Sequence, residues 1–435
     1  MTLSVCAASM TISIVNVALP TIASALDITP RQSVALVSSF QICMIVALIP
    51  LAAVGEILGY KKIYLSGLVV FSVVSLCVVY TQNFTVAITL RAFQGLGAAG
   101  ILSVNTAMLR FIYPKSQFGF GLGLNAFIAG SATALGPPVA TLILSLARWQ
   151  WLFLANVPIC LAALLAGGYV FPKTPKAYHR LRAASVVGHI ASSAVILASI
   201  QLAASGAPLP QTLSVAVIGV LLSGLYIRHE RRLSLPLLPI DLLAIQEFRV
   251  ATTASILGFA AQTLIITVLP FWMLTESYEA GTIGLVLGAW PAASMVAALA
   301  VGRATDRYQD RKLSSIGMLI VSVGIVVTGC YSAADAYPEL AVAMTIAGAG
   351  FGFFQTPNNK SMLGAAPLVR AGSASGTLGT ARVIGQTVGS ALAAATLAAS
   401  ASNAIRYAVF LAFLLSLASA LTSLQVFKSP FKKEQ

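Results

Sequence analysis

The sequence predicts an all-α integral membrane protein of fourteen transmembrane helices, on three observations. Its 435 residues are 58% hydrophobic and 9% charged, whereas a soluble domain carries about 25% charged residues. The mean hydropathy is +0.90, concentrated in repeated apolar runs of about 20 residues, the length that crosses a bilayer. Third, the lysines and arginines lie in short gaps between those runs, as in loops retained on the cytoplasmic side. Together these exclude a soluble enzyme, a disordered chain and a secreted disulfide scaffold. No continuous alternation of apolar and polar residues argues for a barrel.

The predicted spans are 3–26, 33–55, 63–81, 85–108, 118–146, 151–171, 185–204, 210–228, 250–274, 281–301, 313–332, 337–356, 372–399 and 404–427. With the N-terminus in the cytoplasm, Arg31, Arg148 and Arg406 are the outside cations, and Arg91 and Arg382 lie within spans. The remainder of the 26 Lys and Arg residues are cytoplasmic. Adding or losing a span in mid-chain would put successive basic loops on the wrong side, so both termini are expected inside. Met1 leads into an apolar stretch without the basic leader and cleavage site of a signal peptide, and the first span is expected to be retained. The five cysteines all sit in apolar segments without metal or disulfide spacing, and read as small buried hydrophobes. The net charge of +14 is spread over the loops, so no nucleic-acid partner is expected. The partners implied are the lipid bilayer and a small molecule, for a monomer in the cytoplasmic (inner) membrane.

Longer basic connections at 172–184 and 229–249 bracket spans seven and eight, themselves joined by the short uncharged turn Gly206–Pro210. The chain therefore parses into an N-terminal six-helix bundle (1–171), a segment 172–249 whose loops flank an inserted two-helix hairpin (185–204 and 210–228), a C-terminal six-helix bundle (250–427) and a basic tail (428–435). Each half carries a basic loop between its second and third spans: 55–62, with Gly55, Glu56, Gly59, Lys61 and Lys62, and 302–312, with Gly302, Asp306, Arg307 and Arg311. Recurrence at equivalent places marks a pseudo-twofold parallel repeat, a known way of building a central pathway through a membrane. A glycine-bounded turn with a carboxylate beside several cations can pair in one conformation and release in another. The bland alternative is a basic turn kept for topology alone.

Several stretches together resemble the fourteen-spanner drug:proton antiporter branch of the major facilitator superfamily. They are Ser13–Pro20 in span one, Arg91–Gly100 in span four, Leu135-Gly136-Pro137 in span five, Trp149–Pro158 at the start of span six, and Gly350–Asn359 and Gly372–Gly376 in the second half. The resemblance implies export of small amphipathic or drug-like compounds by alternating access, driven by proton antiport, with no cofactor and no enzymatic chemistry. It also implies that loops 55–62 and 302–312 are gate latches, and that Gly136-Pro137 makes the antiporter kink. Proline removes a backbone donor and glycine lets a neighbouring helix approach closely, so a plain packing kink would use the same residues.

Arg91 is the most informative single residue. A guanidinium within an apolar span must face protein or water and find acceptors, and Gln94 lies one helical turn along. It either tunes a proton-accepting group, contacts substrate, or locks helix packing. Arg382 with Gln386 repeats the pattern in the other half. All twelve acids lie in loops or at span edges, and where the resembled branch has an aspartate in span one this chain has Thr11, which cannot hold and release a proton near neutral pH. Glu276, Glu279, Asp27 and His189 remain as titratable candidates. Asn16, Phe40, Gln41, Asn105, Asn125, Gln262, Trp290, Phe354, Gln355 and Asn358 are candidates for lining a midplane site, or else for packing between helices. The alternative reading is an uncoupled facilitator, or an exporter of a neutral or anionic metabolite that uses the membrane arginines.

Overall fold

The computed structural model describes residues 1–172, 174, 181–204, 208–233, 236–305, 307–330, 337–399 and 403–424, and among them every regular element is helical. In chain order these are α1 (Thr2–Ala25), α2 (Pro30–Leu58), α3 (Tyr60–Val79), α4 (Phe84–Ile112), α5 (Phe118–Leu146), α6 (Trp151–Leu154), α7 (Asn156–Val170), α8 (Ala183–Ala204), α9 (Leu209–Glu230), α10 (Ile240–Ala244), α11 (Gln246–Thr275), α12 (Ala280–Ala304), α13 (Asp310–Cys330), α14 (Tyr337–Ala365), α15 (Ala371–Ala399) and α16 (Ala404–Leu424).

Twelve helices among the described residues are long and apolar enough to cross a membrane, against the fourteen expected. The other two predicted spans are helical, as α1 and α15. α15 is diluted by Gly, Ser and Thr residues and by Arg382 and Gln386. The expected span 151–171 is broken at Ala155 into α6 and α7. The basic segment 55–62, read from sequence as a loop, is almost wholly helix. α2 runs to Leu58, α3 starts at Tyr60, and Gly59 alone makes the turn with φ 97°, a conformation that favours glycine.

One compact unit comprises Met1–Ile112, Leu135–Leu242 and Pro367–Gly379. In it α4 packs on α2 and α3, α7 packs on α1 and α3, and α8 packs on α9 and α2. Its apolar core includes Phe40, Tyr64, Leu68, Phe71, Ile101 and Met108. α3 and α4 approach so closely that a Cβ on Gly67 would lie 2.8 Å from the Gly97 carbonyl oxygen, the small-residue contact by which membrane helices associate. The opposite face of α3 presents Val69, Val70, Val73 and Leu76 outward, as a helix against lipid does. At the start of α2, Thr29 and Gln32 form a reciprocal cap that satisfies free N–H groups of the first turn.

The second unit comprises Tyr113–Ala134, Leu243–Ala366 and Thr380–Gln435. Here α14 packs on α12 and α13, and α16 packs on α11 and α13, the same scheme that α4 and α7 follow in the first unit. Its core holds Leu264, Trp290, Met318, Phe351 and Phe354.

Candidate functional site

The turn between α2 and α3 is built as a receptor for a helix start. Glu56, in the last turn of α2, is 1% exposed, and its Oε1 accepts the Ser373 N–H at 2.7 Å. The Tyr60 hydroxyl accepts the neighbouring Gly372 N–H at 2.8 Å. Both donors belong to the first turn of α15, where free N–H groups and the helix dipole favour an anion. Glycine is needed at 372, since a Cβ there would lie 2.7 Å from the Ala52 carbonyl oxygen and 2.9 Å from Glu56 Cγ. Arg370, itself buried, completes the arrangement: one guanidinium nitrogen is 3.7 Å from Glu56 Oε2. The other donates to Asp241 Oδ1 at 2.9 Å and to the Pro236 carbonyl at 3.1 Å.

The basic residues of this turn divide by role. Lys61 Nζ donates to the Gly168 and Phe171 carbonyls at 2.7 and 3.2 Å, closing the C-terminal end of α7 where a cation is favoured. The Tyr60 N–H donates to Thr174 Oγ1 at 3.1 Å. Lys62 is exposed.

The second basic segment is organised differently. Gly302, in α12, lets α5 approach, with Gly119 O 3.0 Å from where a Cβ would stand. Asp306 lies outside the described residues, and Arg307 is exposed. Arg311 pairs with Glu247 at 3.1 Å, both partly exposed, and Lys360 Nζ donates to the Thr305 carbonyl and pairs with Asp310 at 3.6 Å.

The two membrane arginines, alike in sequence, differ in surroundings. Arg91 is 2% exposed; its Nε donates to Leu36 O at 3.0 Å and one terminal nitrogen to Gln94 Oε1 at 2.6 Å. Gln94 in turn donates to Ser75 Oγ at 2.8 Å, and the guanidinium lies 4.4 Å from the Phe40 ring centroid and 5.5 Å from that of Phe153. Arg91 thereby ties α4 to α2, α3 and α6. The Arg382 guanidinium rests over Phe259 at 5.1 Å, and its Nε is buried without a hydrogen-bond partner among the described residues. Gln386 is exposed, so the Arg91–Gln94 pair is not repeated there.

The remaining candidates are dispersed. Thr11 is buried and donates to Ala7 O at 2.8 Å within α1. Asn358 donates to Ala251 O at 3.0 Å and Ser255 Oγ at 2.8 Å, joining α14 to α11. Trp290 and Phe354 flank Phe351 in the second core, with ring centroids 6.0 and 5.9 Å away. Asn105 is buried in α4; Asn125, Gln262 and Gln355 are half-buried; Gln41 is exposed. A Cβ on Gly136 would meet Ser13 of α1 at 2.6 Å, while the side chains of Asn16 and Pro137 lie outside those described. Glu276, Glu279 and Asp27 are exposed. His189 is buried, with its ring 5.8 Å from that of Tyr226.

Sequence reading missed Arg370, Ser373, Tyr60, Asp241 and Lys360 as partners, and it assigned Glu230 no role. Glu56 and Glu230 are both buried. Arg370 was within reach, two residues before Gly372 in a stretch singled out on other grounds.

The helices that make up every regular element among the described residues, with their membrane-length apolar spans, define a multi-pass membrane protein. The chain belongs to the Major Facilitator Superfamily, whose profile matches residues 1–243 and 251–435. It is 37% identical over 415 residues to the uncharacterized transporter YebQ of Escherichia coli K12, covering 94% of this chain and 91% of that one. It is 25% identical over 384 residues to the multidrug efflux pump LfrA of Mycolicibacterium smegmatis, covering 86% and 75%. The crystal structure of the human organic anion transporter MFSD10 (TETRAN) shares the fold, with a TM-score of 0.69 over 96% of this chain and 97% of that one, at 14% identity.

Proposed function

We propose that this transporter exports small amphipathic, drug-like compounds across the cytoplasmic membrane by alternating access, as a monomer coupled to protons. In this reading it is a fourteen-span member of the drug:proton antiporter branch, with α8 and α9 as a hairpin inserted between two six-helix repeats and both termini cytoplasmic. The observation that carries it is the Glu56 carboxylate seated on the first turn of α15 with Arg370 beside it. A buried anion on a helix start can serve as a two-state contact, held in one conformation and released in the other. The recurrence of one packing scheme in the two units supports the repeat, and the similarity to LfrA supports the substrate class.

A second reading, an uncoupled facilitator or an exporter of a neutral or anionic metabolite, is favoured by Arg382, whose Nε has no acceptor among the described residues, together with Thr11 in place of the span-one acid. Inverted membrane vesicles holding an acid interior separate the two. Proton release on adding lipophilic cations or neutral dyes, lost in Glu56→Gln vesicles, supports drug:proton antiport. Flux of organic anions down their gradient without proton release, lost in Arg382→Met vesicles, supports the second reading.

A further inference from the structure

The connection that leaves α9 does more than join two helices. Glu230, the last residue of α9, is 0% exposed. Its Oε2 accepts the N–H groups of Leu237 and Leu238 at 2.5 and 3.2 Å, which fixes the backbone seven and eight residues downstream. Leu237 is buried against Ile49 and Ala53 of α2, with Leu181 and Val186 around it. Ile49, Ala53 and Glu56 stand at i, i+4 and i+7, one stripe of α2. The same short stretch presents the Pro236 carbonyl and the Asp241 carboxylate, and both take one nitrogen of Arg370. The Asp241 contact, at 2.9 Å, is the tighter of the two ion pairs that Arg370 makes, since Glu56 stands at 3.7 Å.

We propose that residues 236–241 form a strap, anchored by Leu237 and by Glu230 at the end of α9, that acts as the second jaw of the latch, gripping Arg370 while Glu56 holds the first turn of α15. Asp241 is the contact residue of this jaw and Glu230 its positioning residue. The hairpin α8–α9 thereby acquires a task in the transport cycle. Its exit segment adds a grip on α15 that the α2–α3 turn does not supply. The inference rests on the reading of Glu56 as a latch, and its test separates the two.

A Cβ on Gly376 would lie 3.0 Å from Ala52 Cβ, closer than the roughly 3.5–4.5 Å of a disulfide, so a small outward shift brings the pair into bonding range. An Ala52→Cys/Gly376→Cys pair in a chain whose five native cysteines are alanine therefore reports the latched state by its cross-linking at limiting oxidant. Charge-assisted hydrogen bonds have the strength to make Asp241→Asn lower the latched-to-unlatched ratio about tenfold. Asp241→Glu is expected to recover most of that loss. Glu230→Gln is expected to act in the same direction, and neither Asp241→Asn nor Glu230→Gln to add anything in an Arg370→Met background. A cross-link formed between α3 and α4 in each variant shows that the unit is folded. Unchanged cross-linking in Asp241→Asn and Glu230→Gln, with a fall in Glu56→Gln, overturns the strap and keeps the latch. No fall in Glu56→Gln overturns the latch and the strap with it.

Discussion

Replacing Arg91 by methionine tests whether a membrane arginine serves packing or substrate. The guanidinium makes two hydrogen bonds, to Leu36 O and Gln94 Oε1, and sits over two aromatic rings. Hydrogen bonds to a charged group contribute about 1.5–3 kcal/mol each, and the ring contacts about 0.5–2 kcal/mol. Methionine fills much of the volume and removes the cost of keeping a charge out of water, which offsets part of the loss. It also strands the buried Gln94 oxygen. The balance is a destabilisation of about 2–4 kcal/mol, read as a Tm lower by about 2–4 °C in detergent for a chain of this length. Adding Gln94→Leu removes the stranded amide, so the double variant is expected to fall about 1–2 kcal/mol short of the sum of the single losses. Transport per folded molecule, measured in vesicles at a temperature well below either Tm, is expected to stay within a few-fold of the native protein. An Arg91→Met protein that melts with the native one and yet moves no substrate would refute this account and put Arg91 in the transport path.

Four further outcomes follow from the contacts. Gly67→Ala forces a methyl group against the α4 backbone at 2.8–2.9 Å, where nothing can rotate away, and is expected to cost about 1–3 kcal/mol in thermal unfolding. Tyr60→Phe leaves the Gly372 N–H without its acceptor, so the Ala52→Cys/Gly376→Cys cross-link should weaken about three- to tenfold. Arg311→Met breaks a pair that is a third or more exposed on both sides, and its Tm should match the native value, because exposed pairs contribute about 0–1 kcal/mol. Asn358→Leu cuts the two bonds joining α14 to α11, and its thermal unfolding should show a loss of about 0.6–1.7 kcal/mol, the range for interhelical hydrogen bonds in membranes.

How much of this could be read beforehand follows from the range of each interaction. Helical spans are local: an apolar run long enough to cross a bilayer must satisfy its own backbone hydrogen bonds, and only a helix does so within one segment. Arg91 stands out by the same logic, because a charge inside such a run has to be answered by something. The sequence is silent on what answers it. Arg91 and Arg382 look like a repeated pair, yet one finds a carbonyl and an amide while the other rests on Phe259, its buried Nε without a partner among the described residues. The segment 55–62 read as a loop because its charges lie in a gap between two apolar runs. The structure supplies α7 carbonyls to Lys61 and α15 N–H groups to Glu56 instead, and helix continues through all but Gly59.

Composition and charge placement alone determined the class of this protein: a multi-pass helical chain with basic turns at helix ends and carboxylates among their cations. Only the tertiary structure decided that Glu56 meets Ser373, 317 residues away, and that Asp241 and Pro236 converge on Arg370. Hydrophobic patterning is summed over neighbours in the chain and survives in the sequence. The partner of a buried charge depends on which distant segments are brought within about 3 Å, where hydrogen bonds form, and no local pattern carries that.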